Sequence, residues 1–305
     1  MKASTLMLIG TGLVLGACAS SGKLAVTNSD EVIAKVTNEQ FKSRPLVPYM
    51  SSKDNFASLK DVDNDVLSKE SVGRFPQSKL EEVSDLEDPI AQVPGHCHRK
   101  EFKEGFAVLD ANYDQFKNHP SYWNQVGTCY YLQDNPRKAL LYYNKALELE
   151  PKYGPALNNI GVLYMKEKKD QKAMVAFKKA QESNPFSVTP MFNLAQVNLK
   201  YGLVDQAFES FKVLLERNPK DPDVVAGLAT CYLFKNDPTN AVKLFSSLDS
   251  AHLQRADIGL NYVVALKTKG DTSMAKKVFK AIDENSVKEL ANYHTKVARY
   301  LEANK

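Results

Sequence analysis

Small residues recur along this chain at intervals of 34: Gly127, Gly161, Ala195 and Ala229, then Val263. A second small column keeps the same register as Ala139, Ala173, Ala207, Ala241 and Ala275. Four residues beyond each member of that column stands an aromatic, Tyr143, Phe177, Phe211, Phe245 and Phe279. Proline closes three units at Pro151, Pro185 and Pro219. A fixed period of this length means that one supersecondary unit is stacked on copies of itself, with small residues where two helices approach closely. The expected fold class is all-α: a superhelical solenoid of about five repeats with flanking helices.

These columns resemble the tetratricopeptide repeat (TPR) family over residues 120–288. Trp123 and Tyr130 stand at the aromatic positions of the first helix, and Tyr164 and Tyr232 repeat the latter. Asn198 and Leu266 depart from the tyrosine column, Leu214, Leu248 and Ile282 replace a third alanine, and Val263 replaces the small residue. Asn135-Pro136 and Asp237-Pro238 each place an N-cap before a proline in the first helical turn, where the missing N–H costs nothing. Phe102, Phe106, Leu109, Tyr113 and Phe116 share one stripe, which predicts a single flanking helix within 96–119. Ser286 to Glu289 has the pattern of a capping box opening a C-terminal capping helix over 289–305. On that helix Val287, Leu290, Ala291, His294, Val297, Ala298 and Leu301 are expected on one face.

The start of the chain reads differently. Lys2 and the apolar run Leu6 to Leu15 have the form of a signal peptide over 1–17, too short to span a bilayer. Leu15-Gly16-Ala17-Cys18 resembles the lipobox of bacterial lipoproteins, which implies a diacylglycerol on Cys18 and membrane contact through that lipid anchor. Two or three acyl chains hold stably where one is marginal. Ala19, in place of the aspartate of inner-membrane lipoproteins, points to the outer membrane facing the periplasm, or to the cell membrane where no outer membrane exists. Residues 18–95 have scattered apolar residues, turn formers and acidic patches, the composition of a flexible tether. As a flexible chain it would average roughly 45–50 Å end to end. Asp30 to Phe41 has the pattern of a short helix, forming on binding.

Chemistry-bearing constellations are sparse. No Gly-rich phosphate loop, zinc-spaced cysteine set or nucleophile elbow follows residue 18, so neither an enzyme nor a cofactor is expected. The adjacent ligands of His96-Cys97-His98 cannot readily face one metal, and no metal site is assigned. Residues 19–95 carry 9 basic and 13 acidic side chains against an overall +4, which leaves the repeats mildly positive and without the basic stripe of a nucleic-acid binder. Cys129 and Cys231 share a column three repeats apart and are too distant to pair. Cys97 can reach Cys129 if the intervening helix folds back on the first repeat; the alternative is an inert buried thiol at Cys129.

The resemblance implies peptide binding on the concave face of the first helices. Amides recur there at Gln125, Asn159, Asn193 and Asn261, with Asn158 beside them and Gly227 breaking the series. An amide both donates and accepts, so it can hold the backbone of an extended peptide without demanding a sequence. Tyr131, Met165, Phe192, Leu199 and Phe234 add apolar pockets. The other reading is that asparagine is merely common in this column. The chaperone-type carboxylate clamp is not expected, because Asn124, Thr128, Thr189 and Asn193 stand where it needs Lys and Arg. The expected partners are envelope proteins or their extended segments. The resemblance extends to lipoproteins that assist pilus, secretion or motility machines; the alternative is an adaptor presenting envelope proteases or peptidoglycan enzymes.

Overall fold

The computed structural model describes residues 88–303. The expected signal peptide, the expected lipidation site Cys18, the expected short helix over 30–41 and the expected tether up to residue 87 lie outside the described residues. Contacts divide the described chain into two units, 88–190 and 191–303.

The first unit opens with α1 (Pro89–His98), α2 (Phe102–Ala111) and the single turn α3 (Tyr113–Phe116). Two hairpins follow: α4 (Pro120–Leu132) with α5 (Pro136–Leu149), and α6 (Gly154–Lys166) with α7 (Asp170–Ser183). Helix α8 (Val188–Lys200) carries the chain into the second unit. There α9 (Val204–Arg217), α10 (Pro222–Phe234), α11 (Pro238–Phe245) and α12 (Ser250–Gln254) precede α13 (Ala256–Lys269) and α14 (Thr272–Ala281). A turn, α15 (Glu284–Val287), and a 3-10 segment, Lys288–Leu290, lead into α16 (Ala291–Glu302).

The repeated columns have a direct packing cause. Tyr143, Phe177, Phe211 and Phe245 are buried on the second helices, and Ala139, Ala173, Ala207 and Ala241 are fully buried beside them. A methyl added at Gly127 would lie 2.6 Å from the Tyr143 ring, and one at Gly161 would lie 2.5 Å from that of Phe177. The small residue on each first helix is therefore the socket for the aromatic on the second, and enlarging it forces a close-packed ring to move.

The hairpin turns show the period most plainly. Left-handed residues occur at Lys100, Asp134, Lys168, Gly202, Asn236 and Gly270, each 34 positions after the last. Six first-helix to second-helix turns are thus present among the described residues. The first lies ahead of the five repeats expected from the sequence. In the same register Gly105 and Leu109 hold the columns of Ala139 and Tyr143, so α1 and α2 are a divergent repeat.

Three expectations are corrected by these elements. Residues 88–95 are not tether, because α1 begins at Pro89, with Asp88 accepting from the Ile90 N–H at 2.9 Å. The single flanking helix over 96–119 is instead the end of α1, then α2 and α3, with breaks at 99–101 and Asn112. The Ser286 capping box does not form: the Ser286 hydroxyl donates to Asp283 O at 2.7 Å and accepts from the Ala256 N–H at 3.0 Å. Asp283 caps the short α15, and α16 starts only at Ala291. Its inward face is built on Tyr293, Val297 and Leu301, and Ala291 is exposed. His294 stacks on Phe279 with ring centroids 4.5 Å apart.

Candidate functional site: the faces of the first helices

The N-terminal unit is bolted at its start. The Cys97 and Cys129 sulfurs are bonded, joining α1 to α4, and both residues are fully buried. Gly105 on α2 is the neighbour that makes room, since a methyl there would lie 2.8 Å from the Cys97 sulfur. His96 joins a charged cluster: its Nδ1 lies 2.8 Å from Glu101 Oε2, and Arg99 Nε donates to Glu101 Oε1 at 2.9 Å. Those bonds, from Arg99 first and His96 second, hold the Glu101 carboxyl down at about 2. Cys231 on α10 is the free cysteine among the described residues, and burial pushes its thiol up to about 12, out of reach of thiolate chemistry at neutral pH.

Next to this bolt lies a run of rings. Phe106 meets Tyr130 at 4.9 Å, Tyr130 stacks on Tyr142 at 5.3 Å, and Tyr142 stacks on Trp123 at 5.9 Å. Trp123 Nε1 donates to Lys117 O at 2.7 Å, which ties α4 to the turn after α3. Lys138 and Lys172 cover Tyr130 and Tyr164 at 4.8 and 5.6 Å, the same eight-residue spacing in successive repeats. Tyr130 and Tyr164 are thereby half-shielded ring faces beneath aliphatic stems and charges.

The amides expected to hold a partner's backbone are mostly inside. Asn158 and Asn193 are fully buried, Asn261 is 1% exposed and Asn159 5%. A solvated concave face of asparagines is therefore corrected. Asn159 Nδ2 donates to Asn124 Oδ1 at 2.9 Å, bridging α6 and α4, and Asn158 Nδ2 approaches Asn159 Oδ1 at 3.4 Å. Asn261 Nδ2 donates to Asp257 O at 2.9 Å, and its Oδ1 accepts from the Tyr293 hydroxyl at 2.7 Å. The Asn261 amide is thus engaged by α16 rather than open to a peptide. Phe192 is buried against Phe211, their rings edge to face at 5.8 Å. Gln125, Tyr131 and Phe234 are the members of the expected set that stay half-buried. Lys166 Nζ lies 5.3 Å from the Tyr131 ring and donates to Asp134 at 2.6 Å.

Two anchors escaped sequence reasoning. Arg255 bonds Asp223 at 2.5 Å and Asp257 at 2.8 Å, linking the start of α13 to that of α10. Lys267 is 7% exposed, and its ammonium donates to Leu301 O and Ala303 O at 2.9 Å each. A cation on the unsatisfied carbonyls of a helix end satisfies both the charge and the orphan acceptors. The spacing of Lys267 and Leu301 by one repeat was the available signal.

Comparison with known proteins agrees with this construction. Tetratricopeptide repeat profiles match residues 120–153, 154–187 and 198–257. No curated protein sequence matches the chain. Among solved structures it is similar to Pseudomonas aeruginosa PilF, at 17% identity and a TM-score of 0.54, over 73% of this chain and 99% of that one. It is also similar to PilW, a widely conserved type IV pilus biogenesis factor, at 16% identity and a TM-score of 0.54, over 70% and 96% of the two chains. A third similarity, to the APC/C hetero-tetramer Cut9–Hcn1, has 17% identity and a TM-score of 0.59. It covers 97% of this chain but only 55% of the other.

Proposed function

The chain is built from tetratricopeptide repeats, and from that premise we propose that it is a lipid-anchored protein-interaction scaffold assisting assembly of an envelope machine of the pilus type. The observation that carries the binding role is the make-up of the first helices. Helix α10 has no charged side chain between Asp223 and Lys235, and no residue of α4 or α10 is exposed. Stacked repeats of this kind present their first helices on an extended concave surface, the one such solenoids use for partners. Half-buried Gln125 and Tyr131 border that face on α4 and offer an amide and a ring to an extended segment.

The pilus-type reading is supported by the likeness to PilF and PilW, and the anchor by the lipobox ending in Cys18. The test has two arms. Cys18→Ser should abolish labelling by radioactive palmitate and leave unprocessed precursor; a variant that labels and matures normally removes the anchor. Deletion of the gene should abolish surface pili, and crosslinkers placed at Gln125 and Tyr131 should trap a pilus-assembly protein in cells. Normal piliation on deletion would remove the pilus assignment while leaving the interaction face to be matched to another machine.

A further inference from the structure

The Cys97–Cys129 bond is sealed inside the first unit. Cys97 stands in the last turn of α1 and Cys129 in α4, and both are fully buried in one cluster with Ile90, Val93, Leu109 and Val126. Gly105 of α2 lies over them: a methyl there would be 2.8 Å from the Cys97 sulfur and 3.8 Å from that of Cys129. Disulfide exchange needs a thiolate to reach one of the two sulfurs, so access decides its rate. In the packed repeat neither an oxidant making the bond nor a thiol breaking it has that approach. The bond is therefore made while α1 and α2 are open. Those helices have ten residues each and persist only through their packing, so the reduced chain leaves Cys97 within reach. Cys129 follows it by 32 positions, whereas Cys231 lies three repeats further on, buried in the other unit. The shorter loop closes at less entropic cost.

We propose that the Cys97 and Cys129 thiols are the substrate of a dithiol oxidase of the cell envelope, which acts before α1 and α2 dock, and that docking then seals the product. The chemistry is thiol–disulfide exchange. One of the two thiolates attacks the oxidase's own disulfide, forming a mixed disulfide and releasing one enzyme thiolate. The thiolate of the second cysteine attacks the sulfur of the first, the Cys97–Cys129 bond forms, and the enzyme leaves as its dithiol. Two electrons pass from the chain to the enzyme, and the protons of the chain's two thiols are balanced by those taken up in the enzyme's dithiol. The class of oxidant follows from the compartment, because thiols are held reduced in the cytosol and such bonds form and persist in the envelope. The order of events follows from burial, since the oxidase needs the open repeat and the closed repeat excludes a reductant.

This inference rests on the chain being exported and lipidated, and the experiment reads that separately. The full chain is made in bacterial cells with and without their envelope dithiol oxidase, quenched and unfolded in acid, then alkylated with a mass-tagged maleimide. Cys18 being taken up by its lipid, the complete cells should give one tagged thiol, Cys231, and the deficient cells three, with Cys97 and Cys129 added. One tagged thiol in both, or three in both, overturns the oxidase's role. Palmitate labelling in both kinds of cell shows that export stands whatever the thiols do, and its absence in both strikes the export reading as well. The seal has its own readout in the purified, oxidised chain. Dithiothreitol should reduce the Cys97–Cys129 bond at least tenfold more slowly in native buffer than in denaturing urea. Equal rates would show a bond open to solvent and overturn the seal.

Discussion

Asn159 donates its side-chain amide to the Asn124 side chain across 2.9 Å, and both residues are buried. The pair joins the first helices of consecutive repeats, so an amide column that looks like binding chemistry is also repeat-to-repeat structure. Asn159→Ala leaves Asn124 Oδ1 without this donor in a site closed to water. The expected loss is about 1–3 kcal/mol of unfolding free energy. Gln125→Ala, in the same column one repeat earlier but half-buried, should change stability by no more than about 0.5 kcal/mol. Urea unfolding of the two variants checks this; equal midpoints would mean the bridge carries nothing.

The left-handed turns give a stabilising prediction. Lys168 sits at φ 60 and Lys100 at φ 65, positions where Gly202 and Gly270 stand in other repeats. A side chain in that region crowds its own carbonyl, and glycine avoids the clash. Lys168→Gly should therefore raise stability by up to about 1 kcal/mol, while Gly202→Ala should lower it by a similar amount. Nothing lies within 4 Å of a methyl built on Gly202, so its effect is purely conformational. Thermal melts of both variants decide it, and a loss of stability in Lys168→Gly would count against the conformational account.

How far the fold was legible follows from the same positions. The 34-residue columns from Gly127 to Phe279 are visible because each is a packing contact, a socket and its ring, that must recur wherever the hairpin recurs. The repeat of α1 and α2 was not visible. Its socket column holds Val93, its second helix stops at Asn112, and the first carries the poor helix formers Pro94 and Gly95 in its interior. There tertiary packing and a disulfide override weak local propensity. Counting back one period from Ala139 and Tyr143 to Gly105 and Leu109 would have exposed it. The candidate site was half legible: the amide column is real, but sequence does not tell a solvated amide from one bonded to the next helix. Lys267 and Arg255 were missed because charged residues at helix ends read as surface.

Acid should loosen the N-terminal unit first. Glu101 is held at about 2 by Arg99 and His96, below the 4.5 of an unperturbed glutamate. A carboxyl whose folded value is depressed adds stability that is fully present above its unfolded value and is lost as pH falls through the folded one. The contribution of this cluster to holding α1 against α2 should therefore fade between pH 4.5 and about 2. Amide exchange in α1 and α2, corrected for the intrinsic pH dependence, should show falling protection over that window in the wild type. Glu101→Gln should remove the cluster's part of that change, and an identical profile in the variant would assign the loss to other carboxylates.

The disulfide yields the largest expected effect. Cys97 and Cys129 are 32 positions apart and link the divergent first repeat to α4. Closing a loop of that size contributes about 3–4 kcal/mol in the chain-entropy model. Helices α1 and α2 have ten residues each, too short to be stable in isolation. Loss of the bond should therefore free them before the following repeats unfold, because repeat stability is a sum of local and nearest-neighbour terms. Trp123, the single tryptophan, is bonded to Lys117 O just after α3 and reports on this end. Cys97→Ser with Cys129→Ser should show an early change in tryptophan fluorescence on heating, separated from the later loss of helicity. Cys231→Ser is the control, since that buried thiol lies in the other unit and should leave the early transition unchanged. A double serine variant that melts in one step at the wild-type temperature would show that packing alone holds the first repeat in place.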